Sequence, residues 1–175
     1  MVVYFWNWNI TRSWEPAMPR MEALQRKHGR DVVFIGIWTP FKLDGVPAGV
    51  AKKDLEEEQD PEKVIPRIKG IMDNRKFQHA LLADPAGVVL SSARSNDLHF
   101  NYFSVPYACV ASSEGRIRFQ GSSLWPEFEG TIDEVVSKDP GVKKRRAAED
   151  KWLRAQGNKP SPAATTTDPA TPEKK

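Results

Sequence analysis

Cysteine and histidine are scarce in this chain, and their scarcity excludes several kinds of chemistry. The 175 residues contain one cysteine, Cys109, so no disulfide can form within the chain. The three histidines, His28, His79 and His99, lie far apart in the sequence, and no spacing typical of a metal site is present. We therefore expect no metal ion and no cofactor.

Long apolar runs and a strong charge of one sign are also missing. No segment approaches the roughly 18 apolar residues of a membrane-spanning helix, so we predict no membrane span. The formal net charge is only +3 and the basic excess is local to residues 143–146, so we expect no nucleic-acid partner. Met1 leads directly into strand-like residues, and no secretory signal is visible there. The sequence leaves the compartment and the oligomeric state open.

The first third of the chain alternates between strand and helix patterns. Residues 2–8 are aromatic and β-branched, and residues 32–38 are almost continuously apolar, so both segments are predicted to be buried strands. Between them we predict a loop at 9–14 and a helix at 15–29. Two strands joined by a helix form a βαβ unit, whose strands should run parallel.

The remainder of the chain continues the pattern. A helix is predicted within 54–76, with Asp60 as its N-cap and Pro61 in its first turn. The other predicted elements follow in chain order: a strand at 79–84, a short helix around 96–103, two strands at 105–111 and 116–120 joined by a hairpin turn, and a helix at 126–137. These elements indicate an α/β sandwich with a mixed sheet.

The composition divides the chain into three parts. Residues 1–138 contain the strand and helix patterns and are predicted to form one α/β domain. Residues 139–156 are predicted to be a charged helical extension with few large apolar residues. Residues 157–175 are rich in Pro, Ala and Thr, so we expect a disordered tail.

Five motifs recur in an order and spacing that resemble a known family. They are Val3-Tyr4-Phe5-Trp6, Ala17-Met18-Pro19, the strand at 32–38, Leu82-Ala83-Asp84-Pro85-Ala86-Gly87, and Val105-Pro106 followed by Glu114-Gly115-Arg116-Ile117. Together they resemble the redoxin branch of the thioredoxin superfamily, which contains the TlpA/ResA-type thiol–disulfide oxidoreductases and the AhpC/TSA peroxiredoxins. The resemblance implies a three-layer sandwich without the usual N-terminal hairpin, and it makes Pro106 a candidate cis-proline.

The same resemblance locates the positions of the family's catalytic cysteines. Alignment on Met18-Pro19 puts Trp14 at the peroxidatic cysteine, or at the second cysteine of a Cys-x-x-Cys motif, and puts Thr11 three residues earlier. Alignment of Trp8 with the tryptophan that precedes a Cys-x-x-Cys motif puts Asn9 and Arg12 at the two cysteine positions instead. Both alignments stay open, and neither places a sulfur atom at the site.

Two hypotheses about function follow. The first is a redoxin-like domain that has lost thiol chemistry and acts as a binding or structural module, with an exposed Trp14 beside Pro106 as the surface for a protein or peptide partner. The second is a thiol–disulfide oxidoreductase or peroxiredoxin-like enzyme that uses Cys109 or a cysteine from another chain. Cys109 lies within an apolar strand, so we expect its thiol to be buried and unreactive.

Overall fold

Five strands in the described part of the chain form one mixed sheet. The computed structural model describes residues 1–8, 11–40, 60–94 and 105–157. The strands are β1 (Val2–Trp6), β2 (Phe34–Trp38), β3 (Ala80–Ala83), β4 (Tyr107–Ala111) and β5 (Ile117–Ser122). Their order across the sheet is β3-β2-β1-β4-β5. The first three run parallel, whereas β4 is antiparallel to both β1 and β5, which confirms the predicted mixed sheet.

The described helices are α1 (Thr11–Trp14), α2 (Ala17–His28), α3 (Pro61–Arg75), α4 (Val88–Arg94), α5 (Pro126–Lys138) and α6 (Pro140–Ala155). Asp60 caps α3 as predicted, because its side chain accepts a hydrogen bond from the Glu62 backbone N–H. Within the described ranges, no helix combines the length and the apolar content needed to cross a membrane. The predicted helix around 96–103 and all but the first residue of the predicted tail at 157–175 lie outside the described residues.

Two helices differ from the sequence prediction. Residues 11–14, predicted as loop, form the single turn α1, and residues 88–94, for which no helix was predicted, form α4. The cause of α4 is visible: the Asp84 carboxylate accepts hydrogen bonds from the first backbone N–H groups of the helix, which would otherwise have no partner. An Asp-Pro turn therefore starts a helix here instead of only ending a strand.

Each face of the sheet packs against helices through an apolar core, so the domain has three layers, with the sheet in the middle. On one face Trp6 and Trp38 pack beneath α2, α3 and α5. On the other face Phe5, Ile37 and Cys109 pack with Leu90 of α4. The two cores stay separate because successive side chains of a strand point to opposite faces.

The proline singled out in the sequence stands immediately before β4. The Val105–Pro106 peptide bond is cis, as the resemblance to the redoxins had suggested. Phe5 pairs with Tyr107 across the antiparallel ladder, so Pro106 lies beside the Trp6 end of β1. The proline therefore lies at the edge of the sheet where β1 ends.

The charged helix predicted after Asp139 is present as α6, and it contacts the body of the domain rather than standing apart. Asp31 accepts hydrogen bonds from Arg145 at 2.7 Å and from Arg146 Nε at 2.9 Å. The Asp31 side chain is only 6% exposed, and the bond from Arg146 holds the pKa of Asp31 below its usual value. Half of the predicted basic run is thus engaged with the turn before β2.

Asp139 joins α6 to the turn between β4 and β5, and its loss should destabilise the domain. One carboxylate oxygen accepts from the Ser113 N–H, and the other accepts from the N–H groups of Gly141 and Val142. Removal of such a cap costs about 1–2 kcal/mol, so Asp139→Ala should lower the free energy of unfolding by that amount at pH 7 in urea denaturation. Asp139→Asn should cost less, because its amide keeps one acceptor oxygen.

The same cap predicts the pH range in which Asp139→Ala has a lower free energy of unfolding than the native chain. The hydrogen bonds from Ser113 hold the pKa of Asp139 at about 2 in the folded chain, against 3.8 in the unfolded chain. The stabilisation is therefore complete above pH 3.8 and is lost as the pH falls towards 2. A difference between Asp139→Ala and the native chain that stays constant from pH 5 to pH 2 would contradict this account.

Candidate functional site

Four tryptophans gather where β1 and β2 end. Trp6 and Trp38 are register partners in neighbouring strands, and both are fully buried. Trp8 stacks on Trp38 with ring centroids 4.6 Å apart, and Trp14 stacks on Trp6 with centroids 5.6 Å apart. Trp6 and Trp8 also meet edge to face. We call these four residues the tryptophan cluster.

Two buried polar residues, Asn7 and Ser13, join the end of β1 to α1. The Ser13 hydroxyl donates to the Asn7 carbonyl at 2.7 Å and accepts from the Asn7 N–H at 3.0 Å. The Asn7 side chain donates to the Thr39 carbonyl at 2.8 Å, which ties the end of β1 to the end of β2. Because Ser13 belongs to α1, these bonds determine where Trp14 stands.

Two arginines of α3 cover the outer tryptophans. The Arg67 guanidinium carbon lies 4.1 Å from the centre of the Trp8 ring, and the Arg75 guanidinium carbon lies 4.1 Å from the centre of the Trp14 ring. Such cation–π contacts are favourable because the face of the indole ring carries negative charge density. The result is two three-layer stacks, Arg67 on Trp8 on Trp38 and Arg75 on Trp14 on Trp6.

This arrangement corrects one expectation about the site. Trp14 was predicted to be exposed beside Pro106, but it is half-buried, with Trp6 in contact on one side and Arg75 on the other. The other positions aligned with the family's cysteines are described only in part. The backbone of Thr11 and Arg12 lies in α1, and Asn9 lies outside the described residues.

Cys109 lies on the opposite face of the sheet from the tryptophan cluster. It packs with Phe5, Ile37 and Tyr107, is 9% exposed, and has the Gln120 amide nitrogen 4.0 Å from its sulfur. Its predicted burial is confirmed. Within the described ranges, no group of three or more His, Cys, Asp and Glu side chains is placed to hold a metal ion.

A second polar group lies inside the main core and was not predicted. The Tyr4 hydroxyl lies 2.5 Å from His79 Nε2, and His79 Nδ1 lies 2.6 Å from a carboxylate oxygen of Glu22. The Tyr4 hydroxyl also lies 3.3 Å from the Met18 sulfur. Gly36 leaves room for this hydroxyl, because a Cβ at that position would approach it to 2.6 Å.

The protonation of this group follows from its burial. The His79 side chain is fully buried, and desolvation lowers its pKa, although the Glu22 charge opposes that shift. Neutral His79 then donates from Nδ1 to the carboxylate and accepts the Tyr4 proton at Nε2. Burial, reinforced by the negative charge of Glu22, raises the pKa of Tyr4 well above 10. The three side chains form one continuous hydrogen-bonded chain at neutral pH.

Sequence signals for these unpredicted residues were faint. Glu22 follows Met18 by four residues and so falls on the buried face of α2, where a carboxylate needs a partner. His79 is 57 residues away, and no local pattern pairs them. Arg67 and Arg75 each lie four residues from Ile71 on α3. This spacing is also common among charged residues on a solvent-exposed helix face.

The βαβ unit with parallel strands and the antiparallel hairpin at the far side of the sheet form a thioredoxin-like fold. The chain is similar to a thioredoxin-like protein whose solution structure was determined in its oxidized form. The identity is 18%, the match covers 79% of this chain and 78% of that chain, and the TM-score is 0.50. At this identity the similarity establishes the fold alone. No protein-family model and no curated protein matches the chain.

Proposed function

We propose that this thioredoxin-like domain is a binding or structural module that does not carry out thiol–disulfide exchange. The observation that carries the proposal is the position of Trp14, which is the last residue of α1, lies shortly before α2 and stacks on Trp6. Thiol–disulfide exchange requires a thiolate that can reach its substrate. The chain's one sulfhydryl, that of Cys109, lies on the other face of the sheet, beneath α4.

The proposed partner is a protein or peptide that contacts the face formed by α3 and the tryptophan cluster. Trp14 itself offers little free surface because Arg75 covers it. The outermost groups at this face are therefore the two guanidinium groups, which remain exposed. Recognition through this face would depend on charge and hydrogen bonding more than on apolar contact.

An insulin-reduction assay tests the absence of thiol exchange. With dithiothreitol as the reductant, we expect the chain to accelerate insulin precipitation no more than its Cys109→Ser variant does. In parallel, the native thiol should react with a disulfide reagent at least about tenfold more slowly than the thiol of the urea-unfolded chain, since burial withholds the thiolate. Catalytic turnover that disappears in Cys109→Ser would establish the alternative, an oxidoreductase that uses Cys109.

A further inference from the structure

We propose that Arg67 and Arg75 form a docking site for an extended, acidic segment of a partner protein. This inference rests on the binding role proposed above and specifies the chemistry of the partner. The two arginines and the two tryptophans beneath them, Trp8 and Trp14, are called the arginine–tryptophan site.

The stacking leaves the hydrogen-bond donors of both arginines available. Each guanidinium carbon lies 4.1 Å from the centre of the ring beneath it, and a cation–π contact of this kind does not use the N–H groups as hydrogen-bond donors. Both arginines are exposed, so these donors face solvent. The rings beneath also hold each guanidinium group in place, which lowers the entropic cost of binding an anion.

Neither guanidinium group has an acidic partner among the described residues. Other arginines do: Arg30 contacts Glu149 and Asp150, and Arg146 contacts Asp31. Arg118 and Arg154 likewise lack an acidic partner among the described residues, so Arg67 and Arg75 are distinguished by the tryptophan ring that each one also contacts. Planar, fork-like donors of this kind bind carboxylates through two parallel hydrogen bonds.

The charge around the site favours an acidic partner. Among the exposed side chains of α3 and the residue after it, Lys63 already has an interaction of its own. The other four cations, Arg67, Lys69, Arg75 and Lys76, outnumber the two carboxylates, Glu62 and Asp73. This excess of two positive charges would attract an acidic segment and repel a basic one.

The spacing of the two arginines predicts the spacing of the partner's carboxylates. Arg67 and Arg75 are eight residues apart on α3, which is about 12 Å along the helix axis. In an extended peptide, residues four positions apart point to the same side and are separated by about 13 Å. Two acidic residues four positions apart on an extended segment therefore match the two guanidinium groups.

Fluorescence anisotropy with labelled peptides tests this inference. The probe is a blocked Ser/Thr peptide with two glutamates four positions apart, and its control has the same composition with the glutamates adjacent. We expect the spaced peptide to bind the full chain at least fivefold more tightly than the adjacent one. Equal binding of both peptides, or no binding of either, would overturn the inference.

Variants of the chain separate the site from general charge attraction. Arg67→Gln/Arg75→Gln should weaken binding of the spaced peptide at least tenfold, whereas Lys143→Gln/Lys144→Gln, which removes the same charge from exposed positions of α6, should change it less than twofold. Arg67→Lys/Arg75→Lys keeps the charge but loses the planar fork, so it should also weaken binding, by about threefold or more.

Circular dichroism melts show whether each variant is folded, and the insulin assay is independent of these results. Equal weakening by the α6 variant, or full binding by the lysine variant, would contradict a site built from two guanidinium forks. Absence of peptide binding together with absence of insulin turnover would refute the docking site while leaving the proposed loss of thiol exchange intact.

Discussion

Replacement of His79 by alanine is expected to lower the free energy of unfolding by about 3–5 kcal/mol at neutral pH, because it breaks a buried polar chain at its centre. The His79 side chain is fully buried and that of Glu22 is 12% exposed. His79 Nδ1 and the facing carboxylate oxygen have no further hydrogen-bond partner in the described structure. Without the imidazole, Glu22 keeps a buried negative charge and Tyr4 loses the acceptor for its hydroxyl proton.

His28 provides a matched control for this prediction. It is as buried as His79 and also contacts a carboxylate, that of Asp133 at 3.2 Å. Asp133 is 48% exposed, however, so water solvates its charge when the histidine is removed. We expect His28→Ala to cost clearly less than His79→Ala in parallel urea denaturation. Equal losses of the free energy of unfolding would show that the cavity left by the imidazole, and not the unpaired Glu22 carboxylate, causes most of the effect.

The pH dependence of stability distinguishes more clearly between loss of the hydrogen bonds of His79 and the cavity that its removal leaves. Burial holds the pKa of His79 below 6.5, so the unfolded chain binds a proton at a higher pH than the folded chain does. The native stability contributed by neutral His79 is therefore complete above pH 6.5 and falls as the pH drops below it. This loss should shrink the difference in free energy of unfolding between the native chain and His79→Ala as the pH falls, whereas a pure cavity effect would not change with pH.

The fold was largely predictable from local patterns in the sequence. Each of these patterns spans only a few residues, and each corresponds to a feature of the folded chain. They are the apolar runs of β1 and β2, the cap at Asp60 and the proline at position 106. The helices α1 and α4 were missed because both depend on hydrogen bonds with residues outside the helix. The Ser13 hydroxyl of α1 bonds to the backbone of Asn7, and the Asp84 side chain caps α4.

The candidate site was less predictable, because its contacts join distant segments. The sequence located Trp14 at the position of a missing cysteine, but nothing nearby indicated that Arg75, 61 residues later, would cover it. The same holds for Glu22 and His79. Hydrophobic periodicity identifies which residues are buried, but it does not identify which polar groups they bring together.

Replacement of Trp6 by alanine should be about as damaging as loss of His79, with a loss of roughly 3–5 kcal/mol. Trp6 is fully buried, and it supports Trp14 by stacking and Trp8 by an edge contact. Because domains of this size are stable by only about 5–15 kcal/mol, the variant should be close to unfolding at 37 °C. Urea denaturation measures the loss. Trp152→Ala on the surface of α6, where the ring is 60% exposed, should stay within about 0.5 kcal/mol of the native chain.

Trp6→Phe distinguishes the ring's packing from its polar atom. The indole nitrogen of Trp6 is buried without a hydrogen-bond partner in the described structure, and an unsatisfied donor of this kind costs about 1–3 kcal/mol. Phenylalanine removes that donor and keeps an aromatic face beneath Trp14, so we expect less than half the loss seen with alanine. The acidic peptide should still bind this variant, since Arg75 keeps the Trp14 ring beneath it. If Trp6→Phe instead loses as much stability as Trp6→Ala, the indole nitrogen must have a partner, and the tryptophan cluster would hold a polar group that its stacking alone does not explain.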